Sequence, residues 1–259
     1  VNGGLINCTN PTLALSATSS TPNVTYSWTG PGGFTSMLQN PTIDTQGTYT
    51  VLLTNPVNGC QATAVTFVQG DFAQPTVSAT SPTITCSAPS VAITSTATPA
   101  NVTYRWTGPG INAGNQAAQN PQVNTPGNYI VTVTATNGCT NTATVTVPSN
   151  TTPPNISTSG VTLTCTQPTS TITGASTTPG VTYAWAGPNG FTSNVPSPTI
   201  SVPGDYTLTV TAPNGCTSTS VAIATPDSNA PVATAAGGTL TCAVTSLPLA
   251  GSSNLTTVT

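Results

Sequence analysis

The chain has 259 residues with one basic side chain, four acidic ones and no histidine, so 2% of it is charged where a soluble domain carries about 25%. The base is Arg105 and the acids are Asp44, Asp71, Asp205 and Asp227, too few for paired general acids and bases, a phosphate cradle or a carboxylate cage; enzymes and nucleic-acid binders are set aside. With 58 Thr, 24 Ser, 25 Pro and 23 Gly, the composition is that of hydroxyl-rich strands broken by many turns.

The first strand is expected at Leu5-Ile6-Asn7-Cys8. Twenty residues beyond Cys8 stands Trp28, at the end of Val24-Thr25-Tyr26-Ser27-Trp28, where strand alternation puts Val24, Tyr26 and Trp28 on one face. Gly30-Pro31-Gly32-Gly33 ends that strand. No lysine and no helix follow it, so it reads as a turn and not as a phosphate-binding loop. Asn58-Gly59 then predicts a two-residue hairpin turn directly before Cys60, because Asn and Gly tolerate positive φ. Asp71-Phe72-Ala73-Gln74-Pro75 reads as a linker that proline holds extended.

The series then recurs. Cys86, Cys165 and Cys242 follow at intervals of 78, 79 and 77 residues, and Trp106 and Trp185 stand 20 residues beyond the first two of them, each in a Tyr-x-Trp with Tyr104 or Tyr183. Between cysteine and tryptophan, Ser90-Val91-Ala92-Ile93-Thr94 reads as a second strand. Tyr129, Val131 and Val133 alternate with Ile130, Thr132 and Thr134, and Tyr206, Leu208 and Val210 alternate with Thr207, Thr209 and Thr211, the period of a half-buried strand. Cys139 and Cys216 again stand behind Asn137-Gly138 and Asn214-Gly215. Linkers recur at Asn150-Thr151-Thr152-Pro153-Pro154 and Asp227-Ser228-Asn229-Ala230-Pro231. The fold class is therefore all-β, a tandem array of Ig-like β-sandwich domains, three complete and one partial, with boundaries at 1–70, 75–148, 154–225 and 231–259. The aromatic residues Tyr26, Trp28, Tyr104, Trp106, Tyr183 and Trp185 are expected to fill the space between two sheets, with a sugar-stacking face as the alternative.

The order Cys, Tyr-x-Trp-x-Gly-Pro, Pro-Gly-x-Tyr-x-x-x-Val, Asn-Gly-Cys resembles the tandem immunoglobulin-like and PKD-like repeats of large bacterial surface and secreted adhesins, over the whole chain. It departs from the PKD pattern in lacking an acidic Trp-Asp-x-Gly-Asp turn, and from antibody-type domains in having two strands before the Trp. The resemblance implies a cell-surface or secreted structural protein that self-associates into a filament, rod, stalk or longer array. The alternative is an adhesin module that holds a carbohydrate or surface receptor through loops or aromatic faces. Ile111-Asn112-Ala113-Gly114-Asn115-Gln116 is the loop that diverges from Phe34-Thr35-Ser36 and Phe191-Thr192-Ser193.

Disulfides are the expected state of the cysteines, in an oxidising compartment. The first and last strands of a sandwich are neighbours, so Cys8 with Cys60, Cys86 with Cys139 and Cys165 with Cys216 are expected to close loops of about fifty residues, each worth on the order of 2–4 kcal/mol. The competing connectivity crosses the junctions, Cys60 to Cys86 and Cys139 to Cys165. Cys242 is left over, its mate expected beyond Thr259. Zinc is set aside by the absence of His and of Cys-x-x-Cys, and calcium at the linker Asp and Asn residues by the shortage of carboxylates, so no cofactor is expected. Candidate N-glycan sites are Asn7, Asn23, Asn101, Asn150, Asn155 and Asn254; a surface so poor in charge leaves glycans, lattice packing or prolines to keep sheet edges apart. Thr140, Thr142, Thr144 and Thr146 form a stripe of the kind that binds ice. No run of 18 apolar residues predicts a transmembrane segment, and no signal peptide is recognisable, so Val1 is not expected to begin translation.

Overall fold

The structure is a computed structural model that describes residues 1–227 and 232–253. It divides into two compact units, Val1–Asn150 and Thr151–Thr259.

The first repeat runs β1 (Gly4–Asn7), β2 (Leu13–Ala14), β3 (Thr25–Thr29), β4 (Thr35–Ser36), β5 (Thr42–Ile43), β6 (Gly47–Thr54) and β7 (Gln61–Asp71). Its main sheet has the order β1-β7-β6-β3-β4, and β2 with β5 forms the opposing ladder. Alternate residues of β3 and β6 are apolar (Tyr26, Trp28; Tyr49, Val51, Leu53) and turn to one face of the main sheet. Ile6, Leu15, Trp28, Ile43, Tyr49, Val51 and Val68 make one core. β1 joins β7 in parallel, from Gly4 opposite Val68 to Asn7 opposite Asp71.

The second repeat runs β8 (Thr76–Thr80), β9 (Ile84–Thr85), β10 (Val91–Ala92), β11 (Thr94–Thr98), β12 (Val102–Thr107), β13 (Gln122–Val123), β14 (Gly127–Ala135), β15 (Thr140–Val147) and β16 (Ser149–Asn150). The strand expected around Ser90 to Thr94 is thus divided at Ile93, which is wholly buried. β12, β14 and β15 form one antiparallel sheet and β8 pairs with β11, while β9 meets β16 in parallel. The third repeat runs β17 (Ser157–Ser159), β18 (Val161–Leu163), β19 (Ser170–Thr171), β20 (Thr173–Ala175), β21 (Thr182–Gly187), β22 (Phe191–Ser193), β23 (Thr199–Ile200), β24 (Gly204–Thr211) and β25 (Thr217–Pro226). Its sheet order β18-β25-β24-β21-β22 repeats that of the first, with β18 parallel to β25. Each of these repeats encloses its own core around Trp106 or Trp185. A hairpin of β26 (Ala233–Ala236) and β27 (Ala250–Ser253) follows.

The tryptophans are buried, but their neighbours Tyr26, Tyr104 and Tyr183 sit half-buried at the core margins. Full burial belongs instead to Tyr49, Tyr129 and Tyr206. Each donates its hydroxyl to the carbonyl four residues upstream, of Thr45, Thr125 or Val202, the corner bond of an Ig-like sandwich. Desolvation pushes the Tyr49 and Tyr129 phenols above the usual tyrosine range, and for Tyr49 the nearby Asp44 adds to the rise.

Candidate functional site at the inter-repeat junction

The parallel pairing of β1 with β7 decides where the cysteines go. Cys8 follows the end of β1, beside Asp71 at the end of β7, whereas Cys60 precedes the start of β7. The two are neighbours in the sheet yet lie at opposite ends of it, roughly 33 Å apart for a strand of this length. The expected Cys8–Cys60 bond is therefore not made. Cys8 is bonded instead to Cys139 of the second repeat, with Cα atoms 5.0 Å apart, and 131 residues separate the two in sequence. Cys86 and Cys216 are also disulfide-bonded, while Cys60, Cys165 and Cys242 are exposed thiols. Neither the pairing expected within repeats nor the competing one across junctions fits: Cys139 has Cys8 as its partner, and Cys60 and Cys165 have none.

Cys139 sits at the tip of the β14–β15 hairpin, and that tip is built to dock. The sequence suggested a two-residue turn, but Ala135 closes on Cys139 across residues 136–138, with Gly138 alone at positive φ, +80°. This is a longer loop that ends in a left-handed glycine. The Oδ1 atom of Asn137 accepts the Cys139 amide at 3.0 Å, which leaves its Nδ2 free to reach the first repeat. There it donates to the Asp71 carboxylate and to the Ala73 carbonyl, both at 2.9 Å. The Thr9 amide donates back to the Asn137 carbonyl at 3.2 Å, and Asn141 Nδ2 donates to the Pro75 carbonyl at 2.8 Å. Asn137 is only 8% exposed, so these bonds are shielded from water and one of them is charge-assisted. A methyl group on Gly138 would collide with Thr9, whose backbone nitrogen would lie 2.7 Å from it. Glycine is thus required here by close approach as well as by φ.

The third repeat holds its own linker in the same way. Asn214 Oδ1 accepts the Cys216 amide, its Nδ2 donates to Thr152, and Ser218 donates to Pro154. The first repeat differs. Asn58 makes the same bond to the Cys60 amide, but Asn58, Gly59 and Cys60 are all exposed, and nothing lies within 4 Å of where a Gly59 side chain would project.

Other candidates are scattered. Asn7 closes a turn by accepting the Thr9 and Asn10 amides, and Asn155 is engaged by Ser176, Thr177 and Thr178, so both act within local structure. Asn23, Asn101 and Asn150 are exposed, and Asn254 lies outside the described residues. Thr140, Thr142, Thr144 and Thr146 are exposed on the outer face of β15, where Thr140 and Thr142 pair with Thr134 and Thr132. The Ile111 to Gln116 loop lacks the strand that Phe34 and Phe191 precede or begin in the other repeats; it folds on itself through Asn112 and Asn115, and the Gln116 carbonyl accepts the Trp106 amide. Among the described residues no three His, Cys, Asp or Glu side chains stand close enough to hold a metal ion, and no helix is long and apolar enough to cross a membrane. What the sequence does not disclose is Asn137 as a clasp: by itself the Asn-Gly-Cys triplet specifies only a turn.

No protein-family model matches the chain, and no curated protein matches it in sequence. Solved tandem immunoglobulin-domain structures resemble it. Sidekick-1 immunoglobulin domains 1–5 align at 14% identity over 89% of this chain, with a TM-score of 0.31; the chain spans 60% of that structure. Drosophila OTK extracellular domains 3–5 align at 17% identity over 88% of this chain and 95% of theirs, with a TM-score of 0.30. The three N-terminal domains of the bacteriophage RB49 Hoc capsid protein align at 14% identity over 87% and 96%, with a TM-score of 0.38. The chain is a tandem array of Ig-like β-sandwiches, as its strand pairing and three separate cores require.

Proposed function

We propose that this protein is an extracellular structural element, a rod, stalk or filament on a bacterial cell surface or released from it, whose stiffness comes from covalently clasped junctions. The observation that carries the reading is the Cys8–Cys139 bond. Proline alone restricts a linker to extended geometry, whereas a disulfide backed by Asn137 and Asn141 removes its remaining freedom. Disulfides point to an oxidising compartment, and a surface with almost no charge offers little for catalysis or ionic recognition. Small-angle scattering on the oxidised and reduced chain tests the reading. The oxidised form is expected to be extended, with an axial period of about 30–45 Å per repeat from strand lengths and linker, and reduction is expected to broaden its distribution of end-to-end distances. A compact oxidised particle, or identical profiles in both states, would overturn it.

A further inference from the structure

On a surface with almost no charge, Arg105 is the exception: it is the chain's only Lys or Arg. It is exposed and forms no ion pair. Strand alternation turns it outward with Thr103 and Thr107, away from the inward Val102, Tyr104 and Trp106. Beside it across the sheet stand Thr132 and Thr142, and two residues along the strand the row is Thr103, Thr134 and Thr140. The sister faces differ in kind. Ser27 and Ala184 stand where Arg105 does, one residue before the tryptophan. Exposed Val65 and Phe67, or Val221 and Ile223, stand where β15 has Thr144 and Thr146, by their registers on Tyr49, Tyr206 and Tyr129. Elsewhere hydroxyls that meet across a ladder bond each other, Ser78 to Thr96 at 2.8 Å and Thr162 to Thr225 at 3.1 Å. Those of Thr103, Thr132, Thr134, Thr140 and Thr142 bond nothing in the protein.

At one end of this face the clasp adds a wall. Thr9 of the first repeat meets Asn101, Thr103, Thr134 and Thr136 of the second around an open groove of about 410 Å³, within the range of small-molecule sites, about 300–1,000 Å³. The disulfide and the Thr9 bond to Asn137 hold that wall in place before any ligand arrives, which lowers the cost of binding.

We propose that this groove and the face beside it bind an acidic carbohydrate, a sugar that bears a carboxylate. The hydroxyls of Thr9, Thr103, Thr134 and Thr136 exchange hydrogen bonds with the sugar hydroxyls, and Arg105, about 6.7 Å along the strand from Thr103, takes the carboxylate. A threonine hydroxyl donates and accepts, as a sugar hydroxyl does, so a row of them suits a ligand with the same property. The guanidinium fork matches a carboxylate in shape and charge. β12, β14 and β15 contain no acid to repel it, and Asp71, the acid of this junction, is already held by Asn137 at 2.9 Å. An acidic peptide would use Arg105 but not the row of hydroxyls.

The test titrates the oxidised 259-residue chain, at low ionic strength and by calorimetry, with trigalacturonate, neutral maltotriose and triglutamate. Trigalacturonate is expected to bind in the low-millimolar range, more weakly as sodium chloride is added, and the other two more weakly still. Arg105→Gln should lower its affinity roughly tenfold, the loss of one charge-assisted contact, and Thr134→Val about threefold, the loss of one neutral hydrogen bond. Thr211→Val, at the matching place on the third repeat's sheet, should change nothing. The side chain of Arg105 has no partner in the protein to lose, and retention of the Cys8–Cys139 bond certifies that each variant has folded. No binding of trigalacturonate, equal binding of maltotriose or of triglutamate, an affinity indifferent to Arg105→Gln, or equal losses from Thr134→Val and Thr211→Val would each overturn the proposal. Scattering reads the stiffness of the clasped junction separately, so failure to bind the sugar leaves the structural-element reading standing or falling on its own.

Discussion

Asn58-Gly59-Cys60 and Asn137-Gly138-Cys139 are the same tripeptide with the same asparagine-to-cysteine bond, yet one tip is exposed and the other is largely buried in a junction. Local sequence sets the turn in both. What differs is whether a strand end with its own cysteine is there to receive it, so docking is a property of the pair of repeats and not of the hairpin. Matched substitutions at the two tips measure that difference directly.

The largest contrast is expected between Cys8→Ser and Cys60→Ser. The first opens a loop spanning 131 residues, for which the chain-entropy model gives about 5 kcal/mol. Hydrogen exchange should quicken at Thr9 and Asn137, while the cores around Trp28 and Trp106, which contain neither cysteine, keep their protection. Cys60→Ser should leave the isolated chain's exchange pattern unchanged; equal effects at the two sites would erase the distinction. Next comes Gly138→Ala against Gly59→Ala. Both pay roughly 1–2 kcal/mol for a side chain at left-handed φ, but only Gly138→Ala must also displace the Thr9 backbone, so its Cys8–Cys139 bond should form more slowly in refolding followed by mass spectrometry. Asn137→Ala should weaken docking by about 2–3 kcal/mol, through loss of one charge-assisted and one neutral bond. Asn58→Ala, which loses only its turn bond, should cost about 1 kcal/mol, and thermal melts of the two variants compare them. The smallest contrast lies in the cores. Trp28 donates its indole N–H to Leu38 at 3.0 Å, whereas the Trp106 indole N–H is buried without a partner. Trp28→Phe should therefore cost about 1 kcal/mol more than Trp106→Phe in denaturant titrations.

The repeat period, the strand faces and the buried tryptophans were legible because each is written locally, in alternation and spacing. The corner tyrosines were half legible: Tyr129 and Tyr206 showed as members of an alternating strand, but not their bonds to Thr125 and Val202. The cysteine pairing is not legible in the sequence, for one physical reason. The strand pattern implies that the first and last strands are neighbours but not their direction, and parallel β1 and β7 carry Cys8 and Cys60 to opposite ends of the sheet. Direction depends on how the chain crosses between sheets, which no short motif encodes. The role of Asn137 was hidden likewise, because its acceptors Asp71 and Ala73 lie more than sixty residues away.

The Cys8–Cys139 bond also reroutes mechanical force. Tension entering at Val1 runs along β1 to Cys8, crosses the sulfurs to Cys139 and leaves along β15, so the backbone between the two cysteines carries none of it. Most of two folded domains hangs beside the load-bearing line as slack that cannot be drawn out while the bond is intact. Along that line, β1 parts from parallel β7, and β16 beyond β15 from parallel β9, only by shearing their rungs together instead of unzipping them one at a time. Reduction returns those residues to the load-bearing line, where their length is drawn out only as each sandwich yields, so the junction makes extensibility a function of redox state as well as of sandwich stability.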